Sequence, residues 1–310
     1  MSSYGYNLGD MTQQEVSAVT DGAEFADQMA SVLVHEHVMV DFVGAGLIRP
    51  GRYDRNDVFR VARPKLEEIA RLGCRRFLEC TPNFLGRDPE LMARLSDATG
   101  MEIWTNTGLY GAADHKYLPE FAWTESAEQL ATRWIAEAHE PWRPRFIKIG
   151  VNLGPLHELD RKLVRAAAIT SRETGLTIAA HTGNGLAAVE QVEIVTEERV
   201  SPAKFVWVHA QKERNHELHE KVARLGAWVE FDGIGPSSAE FHLACVRFMA
   251  EKGLLGRTLI SQDSGWYRVG EEGGGDFRGY SFLYTDFLPH LDAGVVPMLM
   301  WENPRAAFGA

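Results

Sequence analysis

Eight short apolar runs, alternating with stretches of helical periodicity, constrain the fold of this chain more than any other feature. The runs are Ser31–Val40, Arg76–Thr81, Glu102–Leu109, Arg145–Val151, Leu176–Thr182, Lys204–Ala210, Ala227–Phe231 and Thr258–Gln262. Each is short, apolar and bounded by turn-forming or charged residues, which predicts a strand. Asp57–Leu72 lies between the first two and carries Val58, Val61, Leu66, Ile69, Ala70 and Leu72 at spacings close to one helical face. Leu163–Thr174, Glu213–Leu225 and Glu240–Gly253 read the same way, and Asp88-Pro89 and Ser201-Pro202 mark turns or helix starts. Phe205-Val206-Trp207-Val208 is apolar without alternation, as expected of a parallel strand covered on both faces. Eight such alternations predict an α/β fold, a (β/α)8 TIM barrel; a doubly wound open sheet is the structural alternative. Residues 31–310 are expected to form one domain. Residues 1–30 precede the first strand as an N-terminal extension that caps the barrel floor or packs on a partner. Gly270–Gly275, rich in glycine and acid, is expected to be a mobile loop after the last strand.

The residues that end these runs carry the chemistry. In Val34-His35-Glu36-His37-Val38 the two histidines are two apart, so on a strand both project from one face. Lys148 lies in the fourth run, His181 ends the fifth, His209 the sixth, and Asp263 follows the eighth. The carboxyl ends of barrel strands converge on one face, where active sites of this fold lie. Any one of these side chains alone has a plainer reading: a packed histidine, a helix-capping aspartate, a lysine reaching solvent. Together they form a metal-ligand set. Neutral imidazoles and carboxylates suit zinc, with manganese, iron or cobalt as alternatives. A bound ion lowers the pKa of water from about 15.7 towards about 7, and Asp263 can accept the proton of an attacking water. An ammonium ion is out of place among cations, but a neutral lysine amine reacts with carbon dioxide to give a carbamate, an anionic ligand. Carboxylated Lys148 is expected on that ground. His115, His139, His157, His216, His219, His242 and His290 fall in predicted helices or loops and are read as structural or exposed.

The formal charge of −11 disfavours nucleic acid and anionic membrane as general partners. Three cysteines, Cys74, Cys80 and Cys245, form no paired spacing, and a reducing cytoplasm is the natural expectation. No apolar run is long enough to span a membrane, and the polar, acid-bearing N-terminus does not resemble a signal peptide.

The ordered motifs His35-Glu36-His37, Thr107-Gly108-Leu109-Tyr110, Phe146-Ile147-Lys148-Ile149-Gly150, His181-Thr182-Gly183, His209, Ser261-Gln262-Asp263 and Glu302-Asn303-Pro304-Arg305-Ala306-Ala307-Phe308-Gly309 resemble the phosphotriesterase family of the amidohydrolase superfamily. The resemblance covers roughly residues 31–309. It implies two divalent metal ions: His35, His37 and Asp263 on the more buried one, His181 and His209 on the more exposed one, with carboxylated Lys148 and a hydroxide bridging both. That hydroxide would attack the carbon or phosphorus of a lactone or a carboxylic or phosphoric ester, and Asp263 would take its proton. Such families include triesterases, lactonases and esterases, and homodimers are frequent among them.

Candidate substrate contacts are Tyr110 after the third strand, Lys212 and Arg214 after His209, and Trp266, Tyr267 and Arg268 after Asp263. The aromatics would wall the pocket, and the cations would meet an anionic group on a small organic substrate. Two other functions compete: a mononuclear metal-dependent deaminase or amidohydrolase, which the strand-four lysine disfavours, and a non-catalytic ligand-binding barrel, which the full ligand set disfavours.

Overall fold

The computed structural model describes residues 30–309; the expected N-terminal extension lies outside them but for Ala30. The chain runs β1 (Ser31–Val40), α1 (Arg55–Arg71), β2 (Cys74–Glu79), α2 (Pro89–Thr99), β3 (Glu102–Trp104), β4 (Asn106–Thr107), α3 (Glu120–Thr124) and α4 (Ala127–Glu137). It continues through β5 (Phe146–Val151), α5 (Glu158–Thr174), β6 (Ile178–Thr182), α6 (Gly185–Glu197), β7 (Phe205–Val208) and α7 (His216–Arg224). β8 (Trp228–Phe231), α8 (Ala239–Glu251), β9 (Thr258–Ile260), β10 (Gly265–Arg268) and α9 (Asn303–Phe308) complete it.

All ladders between these strands are parallel, in two arcs ordered β10-β1-β2-β3 and β4-β5-β6-β7-β8-β9. The third predicted strand is split into β3 and β4 at Thr105. Asn106 is buried, and its amide donates to the carbonyls of Glu79 (2.9 Å) and Thr81 (3.1 Å), replacing ladder bonds with side-chain bonds. Across the opposite seam, Asp263 N donates to His35 O at 3.1 Å and His37 N to Ser264 O at 2.9 Å. The arcs thus make the expected α/β barrel, with β3 and β4 serving as one strand.

Its interior holds Val32, Val34, Leu78, Phe146, Val206 and Leu259. Leu33 joins instead the layer between strands and helices. Strict alternation would therefore send His35 outwards with Leu33. The β1–β2 register shifts between Leu33 and Glu36, and this irregularity turns both histidines to the cavity.

The barrel floor is closed by the C-terminal helix: Ala307 and Phe308 pack among the interior residues, and Thr177 donates to Ala307 O at 2.6 Å. Helix ends follow capping chemistry. Asp54 accepts from Asn56 N, Asp88 from Leu91 N above Pro89 at the first turn of α2, and Gly175 ends α5 in the left-handed conformation. Gly270–Gly275 contains a 3-10 turn, and Gly274 is buried where a Cβ would meet the Tyr267 ring at 2.3 Å. Among the described residues no helix is long and apolar enough to cross a membrane.

Candidate metal centre

The six predicted ligands meet at the carboxyl ends of the strands, around a cavity of ≈ 240 Å³. His35 and His37 come from β1, Lys148 from β5, His181 from β6, and His209 and Asp263 from the residues just past β7 and β9. Ring centroids lie 5.0 Å apart for His35 and His209, and 4.3 Å for His181 and His209. His209 and Asp263 have φ of 64° and 50°, a left-handed backbone that non-glycine residues rarely hold. Strain of this kind collects at functional sites.

The hydrogen bonds around the imidazoles choose their tautomers. Thr81 Oγ1 donates to Met39 O at 2.9 Å, so towards His37 Nδ1, 2.8 Å away, it accepts. The His37 proton is therefore on Nδ1, and Nε2 keeps its lone pair. Asp232 accepts from His209 Nδ1, and it and Glu230 accept from His35 Nδ1 at 3.1 and 3.0 Å. Both rings present bare Nε2 atoms in the same way.

Asp263 Oδ1 is buried with no hydrogen-bond partner and lies 3.1 Å from His37 Nε2 and 3.8 Å from His35 Nε2. Three lone pairs thus face one another. A divalent cation satisfies that arrangement, and the residues fit one. Lys148 Nζ is buried, 3.4 Å from His35 Nε2, with no carboxylate in ion-pair range among the described residues.

The electrostatics agree. Burial, then Lys148, pushes His35 down to about 3, and burial, then His209 and Lys212, holds His181 well below the usual range; both are neutral near pH 7. Burial acts to raise the Asp263 carboxyl, but His35, His37 and His209 outweigh it, and the net shift is downwards. Asp232 is lowered in the same manner by His209 and His35 against its burial. Its neighbour Glu230 is raised, by burial and then by Asp232.

Asp232, Glu230, Thr81 and Glu36 were not among the predicted site residues. Asp232 directly follows a strand, the signal that singled out Asp263. Glu36 is buried between the histidines and accepts from Ser261 Oγ (2.9 Å), Gln262 N (2.9 Å) and Ser264 N (2.7 Å), pinning the segment that carries Asp263.

Of the proposed substrate contacts, Tyr110, Lys212 and Trp266 line the cavity. Tyr110 Oη is 3.0 Å from His181 Nδ1, and Trp266 lies 4.4 Å from the His37 ring and stacks on Phe42. The other three do not line it. Trp266 has φ of 78°, so the strand turns, and Tyr267 packs into the outer layer near Gly274. Arg268 reaches Glu271 at 3.6 Å, and Arg214 stacks over Phe241 at 4.3 Å.

The model of the phosphotriesterase family matches residues 14–308. The chain is 27% identical over 296 residues to the phosphotriesterase homology protein of Escherichia coli K12, across 91% of this chain and 99% of that protein. It is 27% identical over 255 residues to human N-acetyltaurine hydrolase, across 74% and 71% of the two. A mutant of a phosphotriesterase-like lactonase from Deinococcus radiodurans superposes with a TM-score of 0.80 at 25% identity, across 92% of this chain and 97% of that one. With 295 consecutive residues under one family model, this chain belongs to the phosphotriesterase family.

Proposed function

We propose that this protein is a binuclear metal-dependent hydrolase of lactones or of carboxylic and phosphoric esters. One observation carries the reading: the unpartnered Asp263 Oδ1 facing the bare Nε2 of His37 at 3.1 Å, with Thr81 fixing the tautomer. His35, His37 and Asp263 would hold one ion, His181 and His209 the other, with carboxylated Lys148 between them. Bound there, zinc or a similar divalent ion supplies Lewis acidity towards water and towards the substrate oxygen.

The chain's own groups do the rest. Asp263 is ionised at neutral pH and accepts the proton of the attacking water. If His181 Nδ1 donates to Tyr110 Oη, 3.0 Å away, Nε2 keeps its lone pair. The phenol proton is then free to reach a substrate oxygen. Tyr110 stays protonated, since burial and then Asp263 raise its pKa. Lys212 offers a positive charge to an anionic substrate or product. Phe42 and Trp266 wall off water. At ≈ 240 Å³ the cavity is below the range of about 300–1,000 Å³ typical of drug-sized ligands, which favours a small substrate.

A panel of lactones, carboxylic esters and phosphotriesters, assayed with metal content measured on the same sample, tests the reading. Turnover should vanish on chelation and return with zinc. Absence of turnover on every ester and lactone by protein holding two ions would overturn it. The likeness to human N-acetyltaurine hydrolase supports a second reading, amide hydrolysis on the same centre, and small N-acyl amides belong on the panel.

A further inference from the structure

A second cavity, of ≈ 390 Å³, opens at the mouth of the barrel above β1 and β2. Four arginines line it, Arg49, Arg52, Arg55 and Arg87, against one carboxylate, Asp41. These guanidinium groups gather on one wall of a chain with 43 acidic and 32 basic residues. Three of the four are held in place by carboxylates: Arg52 by Asp41, Arg55 by Asp88 and Glu90, Arg87 by Glu137. Those bonds leave donors over. Arg52 uses Nε and Nη2 on Asp41, and Arg87 uses Nη1 on Glu137 and on Asn106 O. Arg49 is exposed and has no carboxylate partner among the described residues.

The cavity is built by a close approach of two loops. Asp41 N donates to Leu85 O at 2.8 Å, and Gly86, at φ 119°, lies so near β1 that a Cβ would meet Asp41 N at 3.1 Å. The same two segments wall the metal cavity, which takes Phe42 and Leu85 while the arginine cavity takes Asp41 and Gly86.

We propose that this arginine cavity is a binding site for a phosphoryl-type oxyanion, next to the metal centre and separate from it. The planar forks of several arginines match tetrahedral oxyanions through paired N–H donors, and carboxylate tethers hold the forks ready. The anion is either a group carried on the hydrolysed substrate or a separate small ligand. Binding itself does not depend on the hydrolase reading, so its test is independent of turnover.

Inorganic phosphate is titrated calorimetrically into the metal-replete full chain, wild type, Arg49→Ala, Arg49→Lys and Lys212→Ala. Arg49→Ala should weaken phosphate about tenfold by removing a charge-assisted donor. Arg49→Lys should recover part of the loss, and Lys212→Ala, altered only in the metal cavity, should keep this binding. Wild-type affinity in Arg49→Ala overturns the proposal, as does a phosphate signal that disappears only with Lys212→Ala or no signal at millimolar phosphate. Steady-state kinetics separates the two sources. A higher KM in Arg49→Ala for a phosphorylated substrate, and not for its unphosphorylated analogue, assigns the site to the substrate. Unchanged KM for both, with phosphate binding lost, assigns it to a separate ligand.

Discussion

Thr81→Val isolates the tautomer argument from the ligands themselves. The substitution keeps the volume and branching of a fully buried side chain while deleting one hydroxyl. That hydroxyl makes two bonds, accepting from His37 Nδ1 at 2.8 Å and donating to Met39 O at 2.9 Å. Its loss has two separable consequences. The metal-free fold loses a buried hydrogen-bond pair, worth about 1–3 kcal/mol. The metal site loses what holds the proton on Nδ1 and the ring in place, and loss of such a partner typically costs 10–100-fold in metal affinity. The second effect equals about 1.4–2.8 kcal/mol in binding free energy. Competition of zinc against a chromophoric chelator, run on apo wild type, Thr81→Val and Thr81→Ser, reads it directly. The tighter of two zinc sites should weaken in the valine variant and return close to wild type in the serine variant, with two ions still bound at saturation. A folded Thr81→Val protein that holds zinc as tightly as wild type would falsify the tautomer argument, and with it the case that Asp263 Oδ1 and His37 Nε2 face a cation.

Lys148→Ala should lower the metal content at saturation from two ions towards one and remove most turnover; two ions with normal activity would refute the bridging role. Asp88 accepts from Tyr53 Oη at 2.5 Å, Arg55 Nε at 2.6 Å and Leu91 N at 3.1 Å, and Arg55 leads the bonds that hold its carboxyl below its usual range against its burial. A carboxyl with a depressed folded pKa contributes stability above its unfolded pKa of about 3.9, lost as pH falls through the folded value. Asp88→Ala should therefore cost about 1–2 kcal/mol by urea denaturation at neutral pH, from the helix cap alone. The gap between the two proteins should narrow below pH ~4, and a gap independent of pH would contradict the ionised role. Gly108→Ala should destabilise by at least about 2 kcal/mol, since φ is 115° and the new Cβ would lie 2.2 Å from the Lys148 carbonyl oxygen. A melting temperature equal to wild type would show that the loop can move aside. Trp266→Ala should raise KM while leaving metal content unchanged, because the indole touches His37 and Phe42 at the cavity wall without offering a ligand.

The strand–helix rhythm and the six side chains that meet at the strand ends were legible because both are local signals: an apolar run has a period, and a polar residue that ends it has a position. What the sequence hid depends on pairing between distant segments. Nothing in Val32-Leu33-Val34-His35 announces the shift of register against β2, yet without it the inner face of Val34 would exclude His35. Asp232 stands one residue past the run Trp228–Phe231, the same kind of position as Asp263 after its own run. Tyr267 and Arg268 could not be placed from sequence, because their direction is set by β10 pairing with β1 and by the turn at Trp266. Arg214 was drawn away by Phe241 on α8, a contact 27 residues distant in the chain.

The positive φ values at His209 and Asp263 join these observations physically. Glycine would hold that backbone without strain and is the residue that local preference selects. Here it would delete a candidate ligand at each position. The cost, of order 1–3 kcal/mol each, is sustained by His209 N donating to Asp232 Oδ2 at 2.9 Å and by the bonds of Glu36 around Asp263. Asp232 and Glu36 are therefore not spectators behind His209 and Asp263. They hold two strand ends in conformations that the residues there would not adopt alone, and in doing so aim both side chains at one point.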